Sequence, residues 1–550
     1  MNIIGLALLT GVVSLSLSAQ TDYPKYWISF TDKDHTPFTI EHPGEYLSLR
    51  ALERREKQNI PITVEDLPVD PDYLLNIEDL GIRIINVSKW FNGAMVEITD
   101  TSQLTILSQL SFVEDMPILI KPEYVLPVLK SSSSKLDIEA GRVNENYGPS
   151  FNQVNMLRGD ILHDEGYRGQ GMLIAVLDAG FTGANVISSL QHLWQNDRIV
   201  AVRDFVKDGI DIYSAHNHGT IVSSIMAGIQ EGMLVGTAPE AEFMLVRTED
   251  AGSEFLIEEY NWICGAEYAD SMGADIINSS LGYSLFDDPS QDHSYSDLDG
   301  ETVPISRAAE IASSRGMVVV TSAGNEGGNP WFYITAPGDA DNIITVGAVD
   351  SAGYIAGFSS RGPSYDRRVK PDVCTKGYKA IGQRGSGEFV YCSGTSCSSP
   401  VMAGMTACLW QANPSATNLE LIDYIQKSGD RYFHPDSIYG YGIPNLVKST
   451  VMLTDVLTSS PFNEPEISLF PNPANESLYL KVRRPPEAGD ETLILRIFDS
   501  TGNLLTEASH QLSGEVYVTG IGSLYPLVCG IYFVQVNFSG GTFTKRFSKL

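Results

Sequence analysis

Positive charge is what this chain has least of. Lys and Arg together number 37 against 68 Asp and Glu, a formal net charge of −31 over 550 residues. That imbalance excludes a nucleic-acid binder or a partner of anionic membranes, because phosphates would be repelled. Cysteine is scarce too: Cys264, Cys374, Cys392, Cys397, Cys408 and Cys529 are the only six, and none forms a CxxC pair. So few thiols exclude a disulfide scaffold and offer no structural zinc spacing. Export would permit a bridge, with Cys374 and Cys392 as the first candidates, while Cys397 reads equally as a small buried apolar residue. Long apolar runs are missing beyond the N-terminus, which excludes a later membrane-spanning helix. The single run, from Ile3 to about Leu17, ends in small residues at Ser18 and Ala19. It is too short for a comfortable span, and residues 1–19 are expected to be a cleaved export signal.

What is present is ordinary globular material, 43% hydrophobic and 19% charged, in a chain too long for one core. After the signal, "KYWISF" and "RIINVSKWFNGAMVEI" are strand-like, with helical composition between them at "SLRALERREKQNI" and a second short helix at "SQLTILSQL". A small α+β domain over 20–120 follows from this alternation, and the serine-rich stretch 121–146 reads as an exposed linker open to cleavage. From about Tyr147 the pattern changes. Apolar runs such as "MLIAVLDAG", "ADIINSSLG" and "GMVVVTSAGN" alternate with helical stretches such as "LIEEYNWICGAEYADSMG". Near-continuous apolar strands separated by helices predict a parallel sheet covered on both faces, an α/β domain over 147–455. Ligand-handling residues in such sheets gather at the carboxyl ends of strands, where Asp178, Asn278 and Asn325 stand. Beyond a Ser/Thr/Pro link, residues 467–550 lack helical periodicity and predict a small antiparallel β-sandwich.

Three stretches carry chemistry when taken together: "VLDAGF" with Asp178, "NHGTIVSS" with His218 and "GTSCSSP" with Ser396. A serine hydroxyl is a poor nucleophile until an imidazole takes its proton, and that imidazole needs a carboxylate to fix its tautomer. Ser396 precedes a helix-like stretch whose N-terminal amides favour an oxyanion, and "SAGNEG" offers the Asn325 side chain as a further donor. These motifs, in the order Asp, His, Ser and joined by "IINSSLG", "FSSRGP" and "KPDV", resemble those of subtilisin-like serine proteases over roughly 150–450. The resemblance implies that Asp178 orients His218, that His218 is general base and acid, and that Ser396 attacks the peptide carbonyl. It implies an oxyanion site of Asn325 and the Ser396 amide, and an edge strand for extended substrate at Ser279, Ser280, Leu281 and Gly282. Glu326 would border the pocket for the residue before the scissile bond. His216 competes with His218 for the base role, but only His218 is followed by Gly-Thr. No cofactor is required; calcium could be structural, held by Asp297 and Asp299 in the acidic stretch "FDDPSQDHSYSDLDGET", which reads equally as a solvated loop.

The flanks have family parallels as well. Subtilases commonly carry an N-terminal pro-domain that assists folding and acts as a transient inhibitor, and 20–120 has the size and character for one. The tail, with "ISLFPNPANESLYLKV" and "LYPLVCGIYFVQV", is similar to the C-terminal sorting domain of cargo for the type IX secretion machinery of Bacteroidetes. The resemblance therefore implies a secreted or surface-held endopeptidase precursor, exported through the periplasm and acting on proteins or peptides. A catalytically silent homologue serving as a surface binding protein is the competing class.

Overall fold

The computed structural model describes residues 23–121, 146–207, 211–458 and most of 465–549. The expected signal at 1–19 and nearly all of the linker at 121–146 lie outside the described residues. Among the described residues, no helix is long and apolar enough to cross a membrane.

The central unit is built on a seven-stranded sheet in the order Val373–Lys376, Ile344–Val349, Val318–Ser322, Ile276–Ser279, Leu173–Asp178, Glu242–Arg247, Ile199–Asp204. Every neighbouring pair is parallel. The strand sequences explain this: Leu173–Asp178 and Ile344–Val349 are buried at every position, so both faces must be covered. Alternate residues serve opposite cores, as the two-residue period of a strand requires. Ile174 and Val176 join the core that includes helix Thr395–Ala412, whereas Leu173, Ala175 and Leu177 join the one that includes helix Ile257–Met272. Each such fully buried aliphatic side chain stabilises by about 1.5–3 kcal/mol.

Strand order also decides where a site can form. The chain leaves Leu173–Asp178, runs to the edge strand Ile199–Asp204, and returns through Glu242–Arg247. It then crosses to Ile276–Ser279 on the other side of its starting strand. The reversal opens a crevice at the carboxyl ends of Leu173–Asp178 and Ile276–Ser279, the place where open α/β sheets bind ligands.

The N-terminal unit is a five-stranded antiparallel sheet centred on Lys25–Phe30, which pairs with Gly93–Glu97, Val113–Asp115 and Ile118–Ile120. One sheet face lies on the central unit. Trp27 and Trp90 enter the same core as Trp262 and Ala308, and the Trp27 ring sits 4.8 Å from that of Tyr260. Helix Leu49–Lys57, begun by a Ser48 side-chain cap, reaches the base of the sheet, where Arg50 donates to the carbonyls of Gly171 and Gly273. The C-terminal unit stacks a three-stranded sheet on a four-stranded one, both antiparallel, as its alternating sequence predicts. Tyr479 and Val518 from its smaller sheet pack into the central unit's core.

Candidate active site

Asp178 is the last residue of its strand and has no exposed surface. Its Oδ1 accepts the Ala179 amide at 2.8 Å, and both carboxylate oxygens lie 2.9 Å from His218 Nδ1. His218 opens the helix His218–Ala227, and its side chain remains 30% exposed. The approach of these two segments explains the glycines beside them. A Cβ on Gly219 would lie 2.6 Å from the Gly180 carbonyl and 2.7 Å from the Phe181 ring. Only a residue without a side chain allows the Gly219 amide to reach that carbonyl, at 3.0 Å. Burial pulls the His218 imidazolium down, but the charge and hydrogen bond of Asp178 outweigh it and raise the ring from 6.5 to about 9. His216 is exposed beside it, with ring centroids 6.4 Å apart. Loss of water, then the neighbouring His218 charge, holds His216 below its ordinary value.

Ser396 is the second residue of helix Thr395–Ala412 and is partly exposed. That helix contains Pro400, which has no N–H to donate to the carbonyl four residues earlier. The carbonyl so deprived belongs to Ser396, and Ser280 Oγ donates to it at 3.0 Å. Asn278 donates to the same Ser280 hydroxyl at 3.1 Å and accepts from Ser399 Oγ at 3.0 Å. The helix start is thus fastened to the end of strand Ile276–Ser279 by side chains from "NSS". Asn325 stands just past strand Val318–Ser322, and its Oδ1 accepts the Thr395 amide at 2.9 Å and the Thr395 hydroxyl at 3.1 Å. With its oxygen engaged there, the side-chain nitrogen is left to donate outward. A Cβ on Gly394 would lie 3.0 Å from Ser396 Oγ and 3.7 Å from Asn325 Nδ2, so both atoms border one small space. No hydrogen bond joins Ser396 Oγ to His218 among the described residues; such contacts are often long before substrate binds.

The other candidates are placed as follows. Ser279 Oγ accepts the Trp262 indole N–H at 2.9 Å, and the Leu281 carbonyl accepts Ser322 Oγ at 3.0 Å. Strand Ile276–Ser279 ends before Ser280, so Ser280, Leu281 and Gly282 continue it as irregular chain. The Glu326 amide donates to Ser360 Oγ, and its carboxylate accepts from Asn329 Nδ2 at 2.8 Å within its own loop. Asp297 caps the Ser294 amide and hydroxyl, and Asp299 accepts from the amides of Glu301 and Thr302. Those carboxylates are engaged by their own loops, and no group of three or more metal-ligating side chains occurs among the described residues.

The expected Cys374–Cys392 bridge is overturned: Cys392 pairs with Cys397, five residues on, across a Cα separation of 6.5 Å. Cys374 is a free, buried thiol directed at the Tyr439 carbonyl. Strand Phe389–Cys392 runs straight into the turn that starts helix Thr395–Ala412. Chain geometry alone therefore brings Cys392 and Cys397 together around Ser396, which neither cysteine count nor spacing revealed.

A parallel sheet with this crevice, an aspartate–histidine pair at one strand end and a serine at a helix start define a hydrolase-like α/β unit. Residues 169–442 match the subtilase family, and the central unit is a subtilase domain. The N-terminal unit matches a peptidase S8 propeptide domain of Bacteroidota at 25–134, and the C-terminal unit matches a secretion system C-terminal sorting domain at 468–549. The sorting domain marks the chain for export, to the medium or the cell surface. Among similar proteins, serine protease AprX of Bacillus subtilis (strain 168) is 31% identical over 311 residues, covering 51% of this chain and 66% of that one. Thermophilic serine proteinase of Bacillus sp. (strain AK1) is 30% identical over 275 residues, 50% and 60% of the two chains. Subtilisin E of Bacillus subtilis (strain 168) is 28% identical over 329 residues, 59% and 77% of the two chains. The match thus spans less than two thirds of the first two relatives' own lengths.

Proposed function

We propose that the protein is a serine endopeptidase made as an inactive precursor. The observation that carries this reading is the Asp178 carboxylate clasping His218 Nδ1 with both oxygens at 2.9 Å, at the sheet end where Ser396 and Asn325 share one space. The clasp leaves His218 Nε2 as the proton acceptor. In this reading Ser396 Oγ adds to the substrate carbonyl as its proton passes to His218. Asn325 Nδ2 and the Ser396 amide hold the resulting oxyanion. His218 then returns the proton to the departing amine, leaving an acyl-enzyme that water hydrolyses by the same steps. Ser279, Ser280, Leu281 and Gly282 would present backbone to an extended peptide, with Glu326 at the rim of the specificity pocket. The N-terminal unit is the transient inhibitor, and the secretion machinery is the partner of the C-terminal unit.

A fluorophosphonate probe tests the reading on processed protein: one adduct per chain at Ser396 is expected. Absence of labelling after complete removal of the N-terminal unit would favour the silent homologue.

The pH profile provides an independent check. Only neutral His218 can take the serine proton, so kcat/KM should rise with pH along a limb displaced above 6.5 towards about 9. Folding has the opposite sign. The charged pair contributes stability that is fully present below 6.5 and lost as pH rises through the raised value. Asp178→Asn should bring the limb back down; an unmoved limb would mean that His218 is not the group titrating.

A further inference from the structure

Between the N-terminal sheet and the central unit lies a cavity of about 330 Å³, within the range of small-ligand sites. Its floor holds an anomaly. Glu258, in the first turn of helix Ile257–Met272, is 1% exposed, yet neither of its carboxylate oxygens has a hydrogen-bond partner. A buried carboxylate in that condition is costly unless a cation or donor joins it. The neighbouring charges do not supply one. Arg247 already donates to Asp204 Oδ2 at 3.2 Å and lies 3.7 Å from Asp250. The roof comes from the N-terminal unit, which brings Lys25, Arg83 and Glu97 to the cavity wall, with Arg83 3.7 Å from Glu97.

The cavity's position matters as much as its charge. Arg247 is the strand partner of Asp178, and its Nε donates to the Ala179 carbonyl at 3.1 Å. One wall of the cavity is therefore bonded to the backbone beside the Asp178–His218 pair. Ile120, last residue of the strand that leads into the expected maturation segment, lines it as well. When the N-terminal unit leaves, Lys25 and Arg83 go with it, and Glu258 opens in a notch beside the crevice; burial and the neighbouring Glu254, Glu249 and Asp250 hold its carboxyl well above the ordinary value, and an incoming cation would draw it into the charged form. No group of three or more metal-ligating side chains occurs among the described residues, so the chemistry favours an organic cation over a metal ion.

We propose that this notch takes a lysine or arginine side chain of the protein substrate, from the part preceding the scissile bond, with Glu258 as its counter-ion. The inference rests on the endopeptidase reading and gives it a substrate class: chains with a basic residue at one fixed place before the cut. It assigns specificity to Glu258, outside every motif that identifies the family.

The test uses processed wild-type protein and the Glu258→Gln variant, each quantified by fluorophosphonate titration. The substrates are quenched fluorescent peptides carrying arginine, lysine or the uncharged arginine analogue citrulline at each position before the cut. At one position arginine and lysine should exceed citrulline in kcat/KM by about tenfold or more, as a desolvated charged hydrogen bond gives. Glu258→Gln should erase most of that ratio while leaving citrulline peptides and the titre unchanged. Indifference of the wild type to charge at every position overturns the proposal without needing a variant. So does a preference that survives in Glu258→Gln. Failure of both proteins to label overturns the endopeptidase reading and this inference with it.

Discussion

Ser396→Ala should abolish peptide hydrolysis, lowering kcat on the order of 10⁶-fold, because loss of a triad nucleophile removes nearly all of the covalent route. The residual rate reflects only binding and the oxyanion donors. The loss should come without structural damage. Ser396 is partly exposed, and its contact to Ser280 uses the backbone carbonyl, which alanine retains. Alanine also suits a helix's second position, so thermal stability should stay within about 0.5 kcal/mol of wild type. Intact mass of the secreted variant reads a second consequence. If the enzyme cuts its own linker, the variant persists as full precursor; a variant processed normally would assign maturation to another protease. Hydrolysis persisting in a homogeneous Ser396→Ala sample would remove Ser396 from the nucleophile's role.

How much of this was legible in the sequence depended on whether a residue's neighbours were local. Strands such as Leu173–Asp178 and Ile344–Val349 announced themselves because a doubly covered strand leaves no polar alternation. The edge strand Ile199–Asp204 did not, since its half-exposed sequence "IVAVRD" places valines among charged residues. Helix Pro71–Asp79 also carries a readable signal, an Asp70 side-chain cap before a proline, which composition alone obscures. Asp178, His218, Ser396 and Asn325 became candidates through short motifs, whose glycines mark where backbones must touch. The residues that make those motifs work together were not. Ser280 satisfies a carbonyl freed by Pro400, a compensation between segments more than a hundred residues apart, visible only once the strand order is known. Glu258 and Arg247 belong to no motif; strand register sets Arg247 beside Asp178, and only the fold brings Glu258 to the same cavity wall. The Cys392–Cys397 bridge escaped because spacing carries no information about a strand that runs straight into a helix.

Asp270→Ala should loosen the N-terminal unit's hold on the central unit by about 3–5 kcal/mol, the usual consequence of stripping the partner from buried charges. Asp270 has no exposed surface and accepts from both Arg54 and Arg55, with Lys89 Nζ at 3.4 Å. All three cations come from the N-terminal unit, and Arg54 and Arg55 are themselves buried. Alanine would strand them against one another in a space that excludes water. Arg55 keeps Asp66 at 2.9 Å, while Arg54 keeps only carbonyls, those of Ala274, Arg315 and residue 270 itself. The expected loss corresponds to roughly 10²–10³-fold or more in the affinity of the cleaved N-terminal unit for the peptidase. It is measured as the inhibition constant of that unit against processed enzyme. Acid should imitate the substitution. Burial raises the Asp270 carboxyl, but Lys89, Arg54 and Arg55 outweigh it and hold the group below 3.8. The contribution to docking is therefore present above that value and lost as pH falls through the depressed one. Replacing Arg54 with leucine together with Asp270→Leu separates charge from packing. An apolar pair removes one cation along with its carboxylate, so part of the affinity should return. An Asp270→Ala enzyme inhibited as tightly as wild type would show that the apolar contacts of Trp27 and Trp90 hold the N-terminal unit in place without help from this network.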